Sequence, residues 1–141
     1  MALRRGELPQ LRERKPLPYA PMTLGQITTT DLNGWQYRAI GVLDSLVKAA
    51  IKAERYPLDW MVTSNGALRG EVTKFGRLSE NDRRAIYDEW CRVLDATPPR
   101  ESKRFEGGTR LTAVFKHPTN RGEVQGSLVL DVDSPLDDDQ E

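Results

Sequence analysis

The chain has a single histidine, His117, and a single cysteine, Cys91, so any nucleophile–base pair must draw on these two or on a serine. His117 stands beside Pro118 at the end of an alternating apolar run, where a solvated imidazole is the expectation. Cys91 follows Trp90 on a helical apolar line, where a free thiol packs as a small hydrophobe. Adjacent acids do not make a dyad. Asp88 and Glu89 point in different directions on a helix, and Glu80 and Asp82 fit a first helical turn, where the dipole favours negative charge. One cysteine excludes an internal disulfide and a thiolate zinc cage. Asp137-Asp138-Asp139 lacks the glycine turn of a calcium loop. Gly66-Ala67-Leu68-Arg69-Gly70 lacks the Gly-Lys-Ser/Thr of a phosphate loop and falls inside a hairpin. Gly107-Gly108 reads as a bend or bulge before a strand. These residues predict no enzyme, no catalytic set, no metal and no cofactor.

The basic residues form a second pattern. Arg69, Lys74 and Arg77 run from a strand into a loop, Arg83 and Arg84 follow on a helix, and Arg100, Lys103, Arg104 and Arg110 surround a later connector. If these loops converge they make a rim able to track phosphates. No helix-turn-helix, zinc finger or aromatic platform accompanies them, and Glu71, Asp82, Glu101 and Glu106 lie close by in sequence.

Charge is distributed unevenly. Residues 1–30 hold five bases (Arg4, Arg5, Arg12, Arg14, Lys15) against two acids. Residues 31–130 hold 16 bases against 13 acids, and residues 131–141 hold six acids and no base. The net zero is therefore the sum of +3, +3 and −6. Such asymmetry bears on partners rather than on fold.

The elements that must position these residues follow from periodicity. Residues 1–30, with Pro9, Pro16, Pro18 and Pro21, predict a flexible Pro/Arg-rich arm that orders on a macromolecular partner. Arg4, Arg5, Arg12, Arg14, Lys15 and Tyr19 are its candidate contacts. A helix capped by Thr30 or Asp31 carries Trp35, Ala39, Val42, Leu43, Leu46, Val47, Ala50 and Ile51 as one broad stripe and stops at Tyr56-Pro57. Leu58, Trp60 and Val62 alternate toward Asn65-Gly66, the pair that supplies positive φ in a tight hairpin, and Leu68, Gly70 and Val72 return. Ser79 to Asp82 resembles a capping box ahead of a second helix with Ile86, Trp90, Val93 and Leu94, ending at Thr97-Pro98-Pro99. Arg100 to Arg104 reads as a polar connector. Thr109, Leu111, Ala113 and Phe115 share one strand face, and Val124, Leu128, Leu130 and Val132 another, with a turn at residues 118–122.

The expectation is an α+β domain over residues 31–133, in the order α-β-β-α-β-β. Its sheet is four-stranded and mostly antiparallel, with two helices on one face, followed by an acidic tail over 134–141. Trp35, Trp60 and Trp90 are core candidates. The opposite sheet face would carry Met61, Thr63, Thr112, Val114, Lys116, Ser127 and Val129, a mixed surface fit for a dimer or partner interface.

Leu58-Asp59-Trp60-Met61-Val62, followed by Gly66-Ala67-Leu68-Arg69-Gly70-Glu71-Val72, resembles a group of small uncharacterised proteins of actinobacteria and their mobile elements. These share a Trp-x-Val strand, a turn and a Gly-x-Leu-x-Gly strand. The resemblance, over residues 32–133, implies a compact α+β domain and a bacterial or phage setting, and no functional residue carries over. With no apolar run of membrane-span length and no secretory signal, a cytoplasmic protein is expected. Three functions fit: a non-enzymatic binding module with a protein partner, a nucleic-acid-associated accessory or regulatory protein, and a phage or mobile-element assembly component that forms homo-oligomers.

Overall fold

A computed structural model describes residues 26–74 and 76–133. The chain divides into two units, Met1–Asp31 and Leu32–Glu141. Described residues of the first unit make the opening of helix α1 (Thr29–Ala53). There Thr28 Oγ1 accepts from the Asp31 N–H at 3.1 Å while the Thr28 N–H donates to Asp31 Oδ2 at 3.1 Å. The cap is thus Thr28 rather than Thr30 or Asp31, because a reciprocal pair satisfies two orphan donors where a lone side chain satisfies one.

In the second unit α1 is followed by β1 (Asp59–Val62), β2 (Leu68–Glu71), α2 (Glu80–Val93), β3 (Arg100–Lys103), β4 (Thr109–Thr119) and β5 (Gly122–Val132). The α+β class holds, but among the described residues the sheet has five strands, not four, in the order β1-β2-β5-β4-β3. It is mixed: β2 pairs with β5 in parallel, and the other neighbours are antiparallel. The added strand is β3, in the segment expected to be a connector. Arg-Glu-Ser-Lys has no apolar alternation and all four residues are exposed. It pairs with β4 through its backbone alone, as an edge strand whose charges discourage further pairing. Gly107 and Gly108, rather than bending a lone strand, turn the chain from β3 into β4.

The central strand β5 is buried on both faces from Leu128 to Val132. One face packs under both helices: Leu68, Ala113, Phe115, Val124, Leu128, Leu130 and Val132 join Ala39, Val42, Leu46 and Ala50 of α1 and Tyr87 and Trp90 of α2 in one core. Trp60 and Trp90 meet edge to face with ring centroids 5.7 Å apart, and the Trp90 indole N–H donates to the Tyr56 carbonyl at 2.8 Å. Trp35 is only half-buried. Its backbone lies against Gly66, where any Cβ would come within 2.8 Å of Trp35 atoms.

Several local details differ from the periodicity. The stripe of α1 narrows, since Val47 and Ile51 face outward. On α2 the buried residues are Arg83, Tyr87 and Trp90, while Val93 is exposed. Both helices end sooner than the prolines require, each through an acidic residue in the left-handed region: Glu54 at φ 56° and Asp95 at φ 53°. At Asn65-Gly66 only Gly66 has positive φ, and the turn is wider than two residues, closed by the Thr63 N–H to the Ala67 carbonyl at 2.9 Å. The Ser79–Asp82 capping box forms as expected. No described helix is long and apolar enough to cross a membrane.

Candidate interaction site on the open sheet face

Both helices cover one side of the sheet, so alternate residues of every strand project from the other. Register sets them in rows. Met61 stands opposite Arg69, Arg69 beside Ser127, and Ser127 opposite Val114. Met61 is 56% exposed and Val114 48%. Val114 is fixed on both sides: its N–H donates to Thr97 Oγ1 at 3.1 Å, and its carbonyl accepts from the Thr97 N–H at 2.8 Å. A second row runs Glu71, Val129, Thr112, Arg100. Val129 is buried within it, although neither described helix packs against that face. Thr63, expected on this face, belongs to the turn instead.

At the end of the sheet where β5 finishes, the face becomes ionic. Arg110 Nε and Nη2 donate to the two oxygens of the buried Asp131 at 2.7 and 2.9 Å. Arg104 Nε lies 3.8 Å from Asp131 Oδ2, and its Nη1 donates to Asp133 Oδ1 at 2.8 Å. Lys74 Nζ approaches Asp133 Oδ1 at 3.8 Å. The Arg110 hydrogen bonds hold the Asp131 carboxyl below the usual carboxylate range, against the opposing effect of burial. Asp133 is held low chiefly by its bond to Arg104.

The structure brings part of the expected rim together. Lys74 and Arg104 do converge, but on Asp133. Arg69 lies 3.6 Å from Glu71 on its own strand, and Arg84 pairs with Glu80 one turn earlier at 3.0 Å. Arg83 is buried, its Nε donating to the Thr73 carbonyl at 2.9 Å, and its Nη2 is enclosed without a hydrogen-bond partner among the described residues. Arg77, Arg100 and Lys103 carry no ion pair there. Arg4, Arg5, Arg12, Arg14, Lys15 and Tyr19 lie outside the described residues, as does the tail from residue 134.

The two residues weighed for nucleophilic chemistry sit on different elements. His117 is half-buried near the end of β4, opposite Val124. Cys91 sits one turn after Tyr87 on α2, where burial pushes its thiol up. Burial likewise pushes up the Tyr87 hydroxyl, which donates to the Leu128 carbonyl at 3.0 Å. No group of three His, Cys, Asp or Glu suited to a metal occurs among the described residues. The Arg110–Asp131 pair was not foreseen. Its signal was an aspartate in an otherwise apolar strand end, which a buried sheet centre tolerates only beside a partner charge.

No protein family, curated protein or solved structure matches the chain.

Proposed function

We propose that the protein is a non-enzymatic interaction module that docks a protein partner on the open face of its sheet, with the basic amino-terminal arm as a second contact. The supporting observation is the row from Met61 to Val114. Two exposed apolar side chains sit on backbone held by the sheet ladder, on a face that neither described helix packs against. Rigid backbone lowers the ordering cost of association. Lys116 and Arg100 on that face carry no ion pair among the described residues, which favours a partner presenting apolar groups edged by acids.

Nucleic-acid binding has less support, because four of its eight candidate cations (Arg69, Lys74, Arg84, Arg104) already have acidic partners. Phosphates would have to displace those carboxylates before counterion release could favour binding.

A photocrosslinking side chain at Met61, in the native host, should trap one discrete partner, and the same group at exposed Asp88 on α2 should not. Equal labelling at both positions would defeat this reading. Removing residues 1–22 should leave folding intact and weaken capture. The nucleic-acid alternative predicts retention on DNA or RNA at about 50 mM salt, where phosphate contacts are strongest.

A further inference from the structure

Helix α1 has a second line of residues besides the one it buries. Ala39, Val42, Leu46 and Ala50 face the core. Tyr37, Ile40, Asp44, Val47 and Ile51 follow at steps of three, four, three and four, and all are exposed, Tyr37 at 78% and Ile51 at 71%. Alternating steps of three and four are the spacing by which one helix presents a seam to another.

Glycine gives the second observation. Gly41 lies beside this line in the middle of α1, and a Cβ built there would meet nothing within 4 Å. A mid-helix glycine is less favourable than alanine. No internal contact requires the missing side chain, so the space above Gly41 is open to an outside one. Gly34, one heptad earlier, is equally open.

We infer that this face pairs with the same face of a second copy, α1 against α1 in antiparallel orientation. Charge sets the direction. Asp44 on the seam and Lys48 at its flank are 3.0 Å apart and both exposed. Antiparallel pairing carries each Asp44 to the other copy's Lys48, whereas parallel pairing stacks Asp44 on Asp44. The register that layers Ile40 on Ile51 of the second copy at both ends sets Asp44 over its Val47, with Lys48 the next residue along. From Tyr37 to Ile51 the helix rises about 21 Å. A face that long and about 10 Å wide buries on the order of 400 Å² per copy, at the weak end of specific interfaces. A contact of that size makes a weak dimer, which is why its test spans a wide concentration range. It leaves the open sheet face of each copy free, so it stands independently of the partner-docking proposal.

The test is sedimentation of the full-length chain from about 10 to 300 μM. Mass should climb from 16.0 kDa toward twice that value. Ile51→Glu and Ile40→Glu should each hold it at one chain with an unchanged circular dichroism spectrum. Asp44→Lys and Lys48→Asp should each weaken the dimer at least tenfold, and the double exchange should restore it. A single-chain mass across the whole range overturns the inference. So does a dimer indifferent to Ile51→Glu and the charge exchange, which would place the contact on another face. Dimerisation only after removal of residues 1–25 would show that the arm occupies the seam instead, and also overturns it.

Discussion

Asp131 and Arg110 face one another across β5 and β4 in strict register, and the guanidinium grips both carboxylate oxygens, at 2.7 and 2.9 Å. The carboxylate is almost fully buried, while the guanidinium side chain is 38% exposed. Asp131 therefore depends on Arg110 far more than Arg110 depends on it. Arg104, 3.8 Å away, makes only a weaker second contact.

Replacing Arg110 with Met leaves a buried carboxylate short of its main partner. Breaking fully buried pairs costs about 3–5 kcal/mol. Solvent screening at Arg110 brings the expected loss to about 1–2 kcal/mol, read from urea unfolding at pH 7. The pH dependence has a definite sign. The folded-state pKa of Asp131 lies below its ordinary 3.8, so the pair's contribution is complete above that value and is lost as pH falls through the folded pKa. Wild type and Arg110→Met should thus converge in stability only as pH falls below 3.8 and through the folded pKa. A gap that does not narrow at all down to the onset of acid unfolding would show that Arg110 acts through packing.

Gly126 should not tolerate alanine. It stands opposite Phe115, and a Cβ there would fall within 2.2 Å of the ring. The phenyl group fills the space the glycine leaves, so Gly126→Ala forces it off its rotamer at about 1–3 kcal/mol. Pairing Gly126→Ala with Phe115→Leu should recover part of that loss. Equal stability of wild type and Gly126→Ala in thermal unfolding would contradict this packing.

What could be read from the sequence divides along a physical line. The Ser79 cap, the turn at Gly66 and the alternation of β4 and β5 are local, and they appear as residue patterns. β3 escaped because Arg100–Lys103 is held by backbone pairing that no side-chain period reports. The parallel β2–β5 contact escaped because it joins segments far apart in sequence. The same division runs through the site. Period-two reading placed Met61, Thr112, Val114, Lys116, Ser127 and Val129 on the open face. It could not show that Lys74 and Arg104 would be taken up by Asp133, since ion pairing depends on where the strand ends meet.

Cys91 should react slowly with thiol reagents. The thiolate is the attacking species, and burial raises the thiol pKa against the opposing effect of a hydrogen bond with Tyr87, so less thiolate is present at any given pH. At pH 8 the folded protein should react at least about tenfold more slowly than a free cysteine, and denaturant should remove the difference. A rate equal to that of free cysteine in the native state would show that the partial burial of Cys91 does not protect its thiol.

Trp90 closes the core between α2 and the start of β1, and its two contacts can be separated. Trp90→Phe keeps an aromatic ring near Trp60 but deletes the N–H that reaches the Tyr56 carbonyl at 2.8 Å. The loss of that bond and of ring volume should cost about 1–3 kcal/mol. Trp60→Ala removes the facing ring and should cost about 3–5 kcal/mol, the range for deleting a large aromatic from a core. Trp60 is itself partly exposed, which places its value at the lower end of that range. Because the rings touch, the double variant should lose less than the sum of the two single losses. Strict additivity in denaturant titrations would show that the edge-to-face contact contributes nothing beyond the area each ring buries.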